Sequence, residues 1–574
     1  MALTIAGERS SAGKTTVTLA ILAYLSRRGE TVQSFKVGPD YIDPMFHQYV
    51  TKRPCRNLDP VLTSPEYVKR CFTTHCQSAD YALVEGVMGL FDGVGGRGGL
   101  GDGGVGANGH SPLPGPGDQG TSGPGDQGTR GPSPRHPVTQ SPRHPVTPSP
   151  RHPVGEQRCR TAVTPSPNLP FASTAWVAKT LEIPVLLVID CSKLSGSVAA
   201  IAHGYRSLDP TITIAGVVLN RVGSDRHLEL LQDALEPLNI PILGILRRDA
   251  TITIGDRHLG LIPTGEIPDL DKTLDRLAQI GSESFDWERL EPLLHPGGFQ
   301  KPGFLEKSRF IARNLSRNPV SLGLLREISA ETQFAGLRIA VARDLAFNFY
   351  YQDNLDTLEE LGAEIIYWSP INDPELPPNI HGMYFGGGFP EVFARQLSGN
   401  TTARAAVQSA IIAGIPTIAE CGGLMYLCQS LIDFDGLSWP MVGVINANAV
   451  MGQRLTLGYR RATAIVDSPL LTAGTTVWGH EFHRSTVVSR DDSRITPTSP
   501  SPLFTACSLS PESEPFAEGW HQPGNLHAGY IHLHWGSRPE IPARFLQSCL
   551  SNLRTVTGCP MRGAQATPTT GSGG

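Results

Sequence analysis

Three uninterrupted apolar runs limit what this chain can fold into: Pro184-Val-Leu-Leu-Val-Ile-Asp190, Ile214-Ala-Gly-Val-Val-Leu-Asn220 and Pro241-Ile-Leu-Gly-Ile-Leu246. Strands without polar alternation are buried on both faces, and the helical segments between them imply a parallel sheet covered on both sides. Val32 to Val37 and Tyr81-Ala-Leu-Val84 carry the pattern toward the amino terminus. It starts afresh at Gly336-Leu-Arg-Ile-Ala-Val-Ala342 and continues through Glu364-Ile-Ile-Tyr-Trp368, Gly382-Met-Tyr-Phe385 and Ile415-Pro-Thr-Ile-Ala419. At 574 residues the chain is too long for one core. The expected fold class is α/β, with two doubly wound parallel-sheet domains.

The first strand, from Leu3, runs into Gly7-Glu-Arg-Ser-Ser-Ala-Gly13 and then a helix opening Lys14-Thr15-Thr16. This is the layout of a P-loop, whose backbone N–H groups and helix N-terminus hold phosphates. Gly7, Ser10, Gly13, Lys14, Thr15 and Thr16 are the expected ATP contacts. Lys14 would reach the β- and γ-phosphates, and the Thr15 hydroxyl would bind Mg²⁺. Five residues separate Gly7 from Gly13 where four are usual. Downstream, Lys36-Val-Gly-Pro-Asp-Tyr-Ile-Asp-Pro44 places Asp40 and Asp43 in a loop at a strand's carboxyl end, where ligands bind in open α/β sheets. Such acids can bind metal, position substrate or cap turns. Glu85 ends the next strand, the natural place for a Mg²⁺ ligand opposite Lys14. Asp92 lies in the glycine-rich turn that follows it.

In the second half, Thr417-Ile-Ala-Glu-Cys-Gly-Gly-Leu-Met-Tyr426 reads as a strand, a small-residue turn and a helix. Such a corner projects Cys421 off the sheet edge, and the glycines let N–H groups face an oxyanion. A cysteine thiolate suits acyl transfer. Gly529-Tyr-Ile-His-Leu-His-Trp535 offers two bases, His532 and His534, on one face of a strand. His480, Glu481 and His483 in Gly479-His-Glu-Phe-His-Arg484 have strand-like spacing and no evident fourth ligand, which argues against zinc.

These strings resemble the corrinoid amide synthase family. Glu420-Cys-Gly-Gly-Leu-Met-Tyr426, Tyr384-Phe-Gly-Gly-Gly-Phe-Pro-Glu391, Ala346-Phe-Asn-Phe-Tyr-Tyr351 and Tyr530-Ile-His532 are similar to its class I glutamine amidotransferase domain. Lys36 to Pro44 and Val84-Glu-Gly-Val-Met-Gly-Leu-Phe-Asp-Gly93 look like signatures of cobyrinate a,c-diamide synthases. The P-loop variant resembles the dethiobiotin-synthetase branch. The resemblance implies ATP and glutamine as co-substrates, Mg²⁺ and a small-molecule corrinoid. It implies Cys421 as nucleophile, His532 as base, and Gly387 and Gly388 in an oxyanion loop. It places Asp40, Tyr41, Asp43 and Asp92 against substrate, and Asn220 at the adenine edge. The family's usual His-x-Glu acid is absent, with His534 in its place, so the resemblance implies a dyad. A nickel-sirohydrochlorin a,c-diamide synthase shares these motifs. A P-loop ATPase scaffold with a degenerate amidotransferase domain is the reading from a different class.

Residues 94–170 break the pattern, holding 17 of the chain's 62 glycines and 15 of its 48 prolines. Gly-Pro-Gly-Asp-Gln-Gly-Thr recurs from Gly115 and Gly123, and Ser-Pro-Arg-His-Pro-Val from Ser133, Ser141 and Ser149. Such a segment lacks apolar surface to offset its ordering entropy and reads as a disordered low-complexity insertion. The expected domains are 1–93 with 171–265, then 266–335 as a helical end plus linker, 336–554, and a disordered tail at 555–574. Acidic residues outnumber basic ones, 53 to 48, which argues against a nucleic-acid partner. No apolar run spans a membrane. Ten irregularly spaced cysteines suit reduced thiols in a cytoplasmic protein, and the resemblance is compatible with a homodimer.

Overall fold

The computed structural model describes residues 2–94, 169–249, 256–257, 260–296, 334–489, 502–509, 513–521 and 524–557. The repeats of the insertion, most of the 297–335 linker, the centre of Arg257-His-Leu-Gly-Leu261 and the tail beyond 557 lie outside them.

The first sheet contains β1 (Leu3–Gly7), β2 (Val32–Val37), β3 (Arg56–Leu58), β4 (Tyr81–Gly89), β5 (Val185–Asp190), β6 (Ile214–Val222) and β7 (Ile242–Arg247). Their order is β3-β2-β4-β1-β5-β6-β7, and every pairing is parallel. All residues of β5 are buried, as its unbroken apolar run requires. Helices α1 (Lys14–Arg27), α2 (Ile42–Thr51) and α3 (Pro65–Cys76) follow β1, β2 and β3, and α4 (Thr174–Leu181) precedes β5. Leu19, Ile21, Leu22 and Leu25 of α1 are fully buried with Leu274 and Leu277 of the helix Leu270–Ser284 in one cluster. The helix Leu270–Ser284 thus shares the core of the first sheet's α1. A short hairpin, β8 (Asp256–Arg257) with β9 (Gly260–Leu261), lies before that helix.

The second sheet has a parallel core, β11-β10-β12-β13-β20, from β10 (Arg338–Ala342), β11 (Glu364–Trp368), β12 (Gly382–Phe385), β13 (Thr417–Glu420) and β20 (Leu526–Gly529). It does not stop there. Beyond β20 the sheet continues through β19 (Phe516–Trp520), β18 (Pro502–Ser508) and the long β16 (Ile445–Ala464), joined by antiparallel pairings. Strands β14 (Cys428–Ile432) and β15 (Ser438–Pro440) form the far edge, while β17 (Thr476–Ser489) pairs with β16 and with β21 (His532–Leu533). These strands mix buried with partly or fully exposed residues, unlike the uniformly buried β5.

The two ends of the inserted segment meet. Val94 and Phe171 form an antiparallel bridge, with the Val94 N–H donating to the Phe171 carbonyl at 2.7 Å. Asp92 and the Gly93 turn therefore sit beside Ser173, whose hydroxyl caps α4 by accepting from the Trp176 N–H. Closing a loop costs only about 0.6 kcal/mol more for each doubling of its length, so a fold closed by this bridge tolerates a long excursion. Replacing residues 95–165 with a short Gly/Ser linker is expected to leave the thermal unfolding midpoint within about 2 °C of the full chain, by calorimetry. A larger fall would show that the insertion packs on the rest.

Candidate active site

The loop after β1 turns at Ser11 (φ 61°) and Gly13 (φ 98°), and the helix α1 opens behind Gly13 without a side-chain cap. A Cβ at Gly13 would lie 2.0 Å from Asn220 Nδ2, so only glycine fits. Asn220 is committed to this loop. Its Nδ2 donates to the Ala12 carbonyl at 2.8 Å, and its Oδ1 accepts from the Arg221 N–H at 2.9 Å. The expectation that Asn220 reads an adenine edge thus meets an amide already engaged in shaping the phosphate loop. Ser10 and Thr16 are half-buried on the same loop and helix start, and Gly7 is buried beneath them.

Below the loop lies a buried charge cluster. The Lys36 ammonium contacts Asp43 Oδ2, Glu85 Oε1 (3.1 Å), the Gly86 carbonyl (3.3 Å) and Asp40 Oδ2 (3.7 Å). Burial alone would lower its pKa, but Asp43, Glu85 and Asp40 override that and hold it above its ordinary value. Glu85 has both oxygens engaged: Oε1 also accepts the Thr15 hydroxyl at 2.7 Å, and Oε2 meets His47 Nε2 at 2.7 Å. Against the upward push of burial, Lys36, His47 and Thr15 keep Glu85 below the usual carboxylate range. Asp43 is pushed up by burial and by the Asp40 charge. Asp40 Oδ1 accepts the Ile42 and Asp43 N–H groups at 2.9 and 3.2 Å, so it caps the first turn of α2 as well as facing Lys36. Asn57 braces the same loop through the Gly38 and Asp40 carbonyls.

The donor set suits Mg²⁺. Thr15 Oγ1, Glu85 Oε1 and Asp43 Oδ2 are all hard oxygens, and Asp43 Oδ2 lies 3.5 Å from the Thr15 hydroxyl. Asp92 is exposed at the rim, where its Oδ2 accepts the Gly89 N–H at 2.8 Å. Its charge, with those of Glu85 and Asp43, acts on Lys14. Burial and then Lys36 nevertheless lower Lys14 to about 8.

The second centre forms at the end of β13. Cys421 has φ 51° and ψ −98°, a conformation costing a non-glycine residue about 1–3 kcal/mol. Gly423 lies so close to β12 that a Cβ would stand 2.6 Å from the Phe385 carbonyl oxygen. A Cβ on Gly422 would be 3.1 Å from the Gly388 N, so the nucleophile turn and the Gly386–Gly388 loop are in contact. His532 closes the other side: a Cβ on Gly387 would meet its Cε1 at 2.6 Å and Nε2 at 3.2 Å. Cys421 Sγ lies 3.9 Å from the Phe482 carbonyl oxygen, and burial, followed by the Glu391 charge, pushes its thiol up. Burial thus favours the protonated thiol over the thiolate.

His534 is turned elsewhere. Its Nε2 lies 3.6 Å from Asp353 Oδ2, and its ring packs on Tyr351 at 4.6 Å and Tyr67 at 5.5 Å. Side chains in the Gly479–Arg484 string are engaged separately: Glu481 accepts from Arg460 at 2.7 Å and His483 Nδ1 donates to the Ser485 carbonyl at 2.8 Å. Cys71, His75 and Asp353 bring ligand atoms within 4.8 Å of one another, but Arg56 already donates to Asp353 Oδ1 at 3.1 Å.

Tyr41 joins the two centres. It is flanked by Asp40 and Asp43 and is buried against the second domain, stacked on Phe349 (5.3 Å, 8°) and packed on Tyr351 (4.7 Å). Its ring centroid is 5.1 Å from that of His532.

Residues 3–261 match the model of the CobQ/CobB/MinD/ParA nucleotide binding domain, and residues 338–540 that of the CobB/CobQ-like glutamine amidotransferase domain. A cobyrinate a,c-diamide synthase from Synechococcus is 48% identical, over 96% of this chain and 98% of the relative. The chain belongs to the cobyrinate a,c-diamide synthase family. The Gloeobacter violaceus member is 39% identical over 96% of this chain and 97% of its own length. A hydrogenobyrinate a,c-diamide synthase from Streptomyces coelicolor is 37% identical over 95% and 97%. Membership makes this a glutamine-dependent, ATP-driven amidating ligase with a nucleotide-binding and an amidotransferase domain. No helix among the described residues is long and apolar enough to cross a membrane.

The sequence reading missed three participants. Nothing local in the Lys36–Pro44 string marks Lys36 as the centre of a charge cluster. His47 lies one turn after Asp43 on α2, a spacing that puts both on one face, and its Nδ1 is 3.3 Å from Cys55 Sγ. Glu420 was seen only as the residue before the cysteine.

The position of Lys14 has a pH consequence. It is charged below about 8 and neutral above, and a bound triphosphate favours the charged form. ATP affinity is therefore expected to fall as pH rises through about 8, by up to about tenfold per unit. Titration calorimetry at pH 7 and pH 9 checks this; equal affinities would overturn a Lys14 that loses its charge near pH 8.

Proposed function

We propose that this chain converts the a- and c-carboxylates of cobyrinate to amides in cobalamin biosynthesis, in the cytoplasm, using ATP and ammonia released from glutamine. The observation that carries the reading is the Tyr41 junction. One loop supplies Asp40 and Asp43 to the nucleotide side and packs Tyr41 on His532 of the glutaminase side. A shared wall of this kind suits an enzyme that makes ammonia in one site and consumes it in the next.

On the synthetase side, a substrate carboxylate oxygen attacks the γ-phosphorus of ATP and ADP departs, leaving an acyl phosphate. The P-loop N–H groups and Lys14 hold the triphosphate. Thr15 and Glu85 would hold Mg²⁺, which would supply positive charge to the phosphates. Ammonia then attacks the acyl carbon, phosphate leaves, and the nitrogen loses a proton. Asp43 and Asp92 position the corrinoid and its activated carboxylate. On the glutaminase side, His532 takes the Cys421 proton as Sγ attacks the glutamine side-chain carbonyl, and returns it to the departing ammonia. Backbone N–H groups of the Gly387–Gly388 turn receive the oxyanion. Water then hydrolyses the thioester to glutamate. A buried site matters because ammonia protonated in bulk water is no nucleophile.

Mass analysis of products from cobyrinate, hydrogenobyrinate and nickel-sirohydrochlorin, each with ATP and glutamine, tests the substrate. Conversion of cobyrinate to its diamide is expected, and exclusive use of another tetrapyrrole would overturn the assignment. Cys421→Ala should abolish glutamine-dependent amidation yet leave amidation by added ammonia, since only the nitrogen supply is cut. Lys14→Ala and Glu85→Gln should lower both by about 10²-fold or more. Normal ammonia-driven turnover in either variant would sink the ATP-site reading. Asp43→Asn and Asp92→Asn should lose diamide formation while glutaminase activity persists. A folded Asp43→Asn protein without glutaminase activity would contradict that division.

A further inference from the structure

Glu420 ends β13, directly before Cys421, and is 2% exposed. Its Oε2 accepts the Tyr384 hydroxyl at 2.9 Å, and its Oε1 accepts the Leu533 N–H at 3.2 Å. The same Oε2 lies 3.6 Å from His532 Nδ1, a buried atom with no hydrogen-bond partner among the described residues. The carboxylate is thus anchored on one side by β12 and on the other by the backbone next to His532. The imidazole Nδ1 lies 3.6 Å from the oxygen that accepts the Tyr384 hydroxyl.

The place two residues beyond the histidine, where a class I amidotransferase carries its acid, is His534 here, and its ring is directed to Asp353 at the domain boundary. We infer that Glu420 is the positioning residue that orients His532, supplying from the strand before the nucleophile the carboxylate that the histidine's own strand lacks. This rests on the reading of Cys421 and His532 as nucleophile and base.

Approach of the two groups by about 0.7 Å would bring Nδ1–H into hydrogen-bond range. That bond fixes the proton on Nδ1 and leaves the Nε2 lone pair on the side of Gly387 and the nucleophile turn. It also places a negative charge beside the imidazolium formed when Cys421 gives up its proton, as the acid of a catalytic triad does. The need is large, because burial and Glu391 both oppose thiolate formation.

The test is glutaminase kinetics of full-length Glu420→Gln across pH 6 to 9. The amide keeps the shape and an acceptor for Leu533 but removes the charge. The expected result is a kcat about 10²-fold lower or more, with KM for glutamine little changed. The acid limb of kcat/KM should move to lower pH. Tyr384→Phe, which removes one hydrogen bond and keeps the charge, should retain most of kcat. Ammonia-driven amidation by each preparation reports folding. Wild-type kcat and pH profile in Glu420→Gln, or an equal loss in Tyr384→Phe, would make Glu420 a structural brace and overturn the inference. If Glu420→Gln does not fold, Glu420→Asp decides: it keeps the charge one methylene further back and should lose kcat while sparing KM, and unchanged kcat refutes the role. Glutaminase activity surviving in Cys421→Ala would instead sink the underlying nucleophile assignment, a result separate from either.

Discussion

One buried ammonium, that of Lys36, holds the synthetase side together. It faces Asp40, Asp43 and Glu85, three carboxylates that would repel one another without it. Removing one partner from a buried charge pair costs about 3–5 kcal/mol, because the remaining charge is stranded away from water. Lys36 lies on β2, Glu85 on neighbouring β4, and the two aspartates in the loop and helix that follow β2. The ammonium therefore fixes the loop to the sheet. Through Glu85 the same cluster reaches the Thr15 hydroxyl at the start of α1, and through Glu85 Oε2 it reaches His47. The cluster thereby gathers the oxygen atoms of Thr15, Glu85 and Asp43 beside the phosphate loop.

The glutaminase side depends on close backbone approach. Cys421 adopts a positive φ at the end of a parallel strand, and Gly422 and Gly423 let the turn lie against β12 and the Gly386–Gly388 loop. Side chains at those positions would push the Cys421 turn away from the Gly386–Gly388 backbone. Burial favours the protonated thiol, so on the proposed mechanism its reactivity depends on how His532 is presented. His532 is presented by Gly387 on one edge, Glu420 on another and Tyr41 across its face.

Tyr41 makes the two chemistries neighbours. A residue between the synthetase aspartates packs on the glutaminase histidine and on Phe349 and Tyr351. Arg56 with Asp353, and Asp59 with Tyr459 at 2.8 Å, hold the same boundary by polar contacts. His534 packs at this boundary, beside Asp353, Tyr67 and Tyr351. That explains why two histidines spaced by two residues have unlike surroundings despite lying close together in the chain.

Local sequence alone determined the elements. Unbroken apolar runs marked the parallel strands, glycines and a lysine after β1 marked the phosphate loop, and the strand–turn–helix around Cys421 marked the nucleophile corner. These are signals of period and conformation, which neighbouring residues impose on one another. The antiparallel extension of the second sheet was legible only as a β-rich stretch, since strand partners depend on distant segments. Spacing alone did not separate His532 from His534; the Tyr530-Ile-His532 resemblance favoured His532, and packing shows Asp353 beside His534 and Gly387 beside His532. The orienting carboxylate was sought after the histidine, whereas the fold brings Glu420 to it from 112 positions earlier in the chain. Hydrogen bonds such as Asn220 with the P-loop and Lys36 with Glu85, and the ring contact of Tyr41 with His532, join residues far apart in sequence. Their chemistry follows from distance and burial, and those quantities exist only once the two sheets have folded and met.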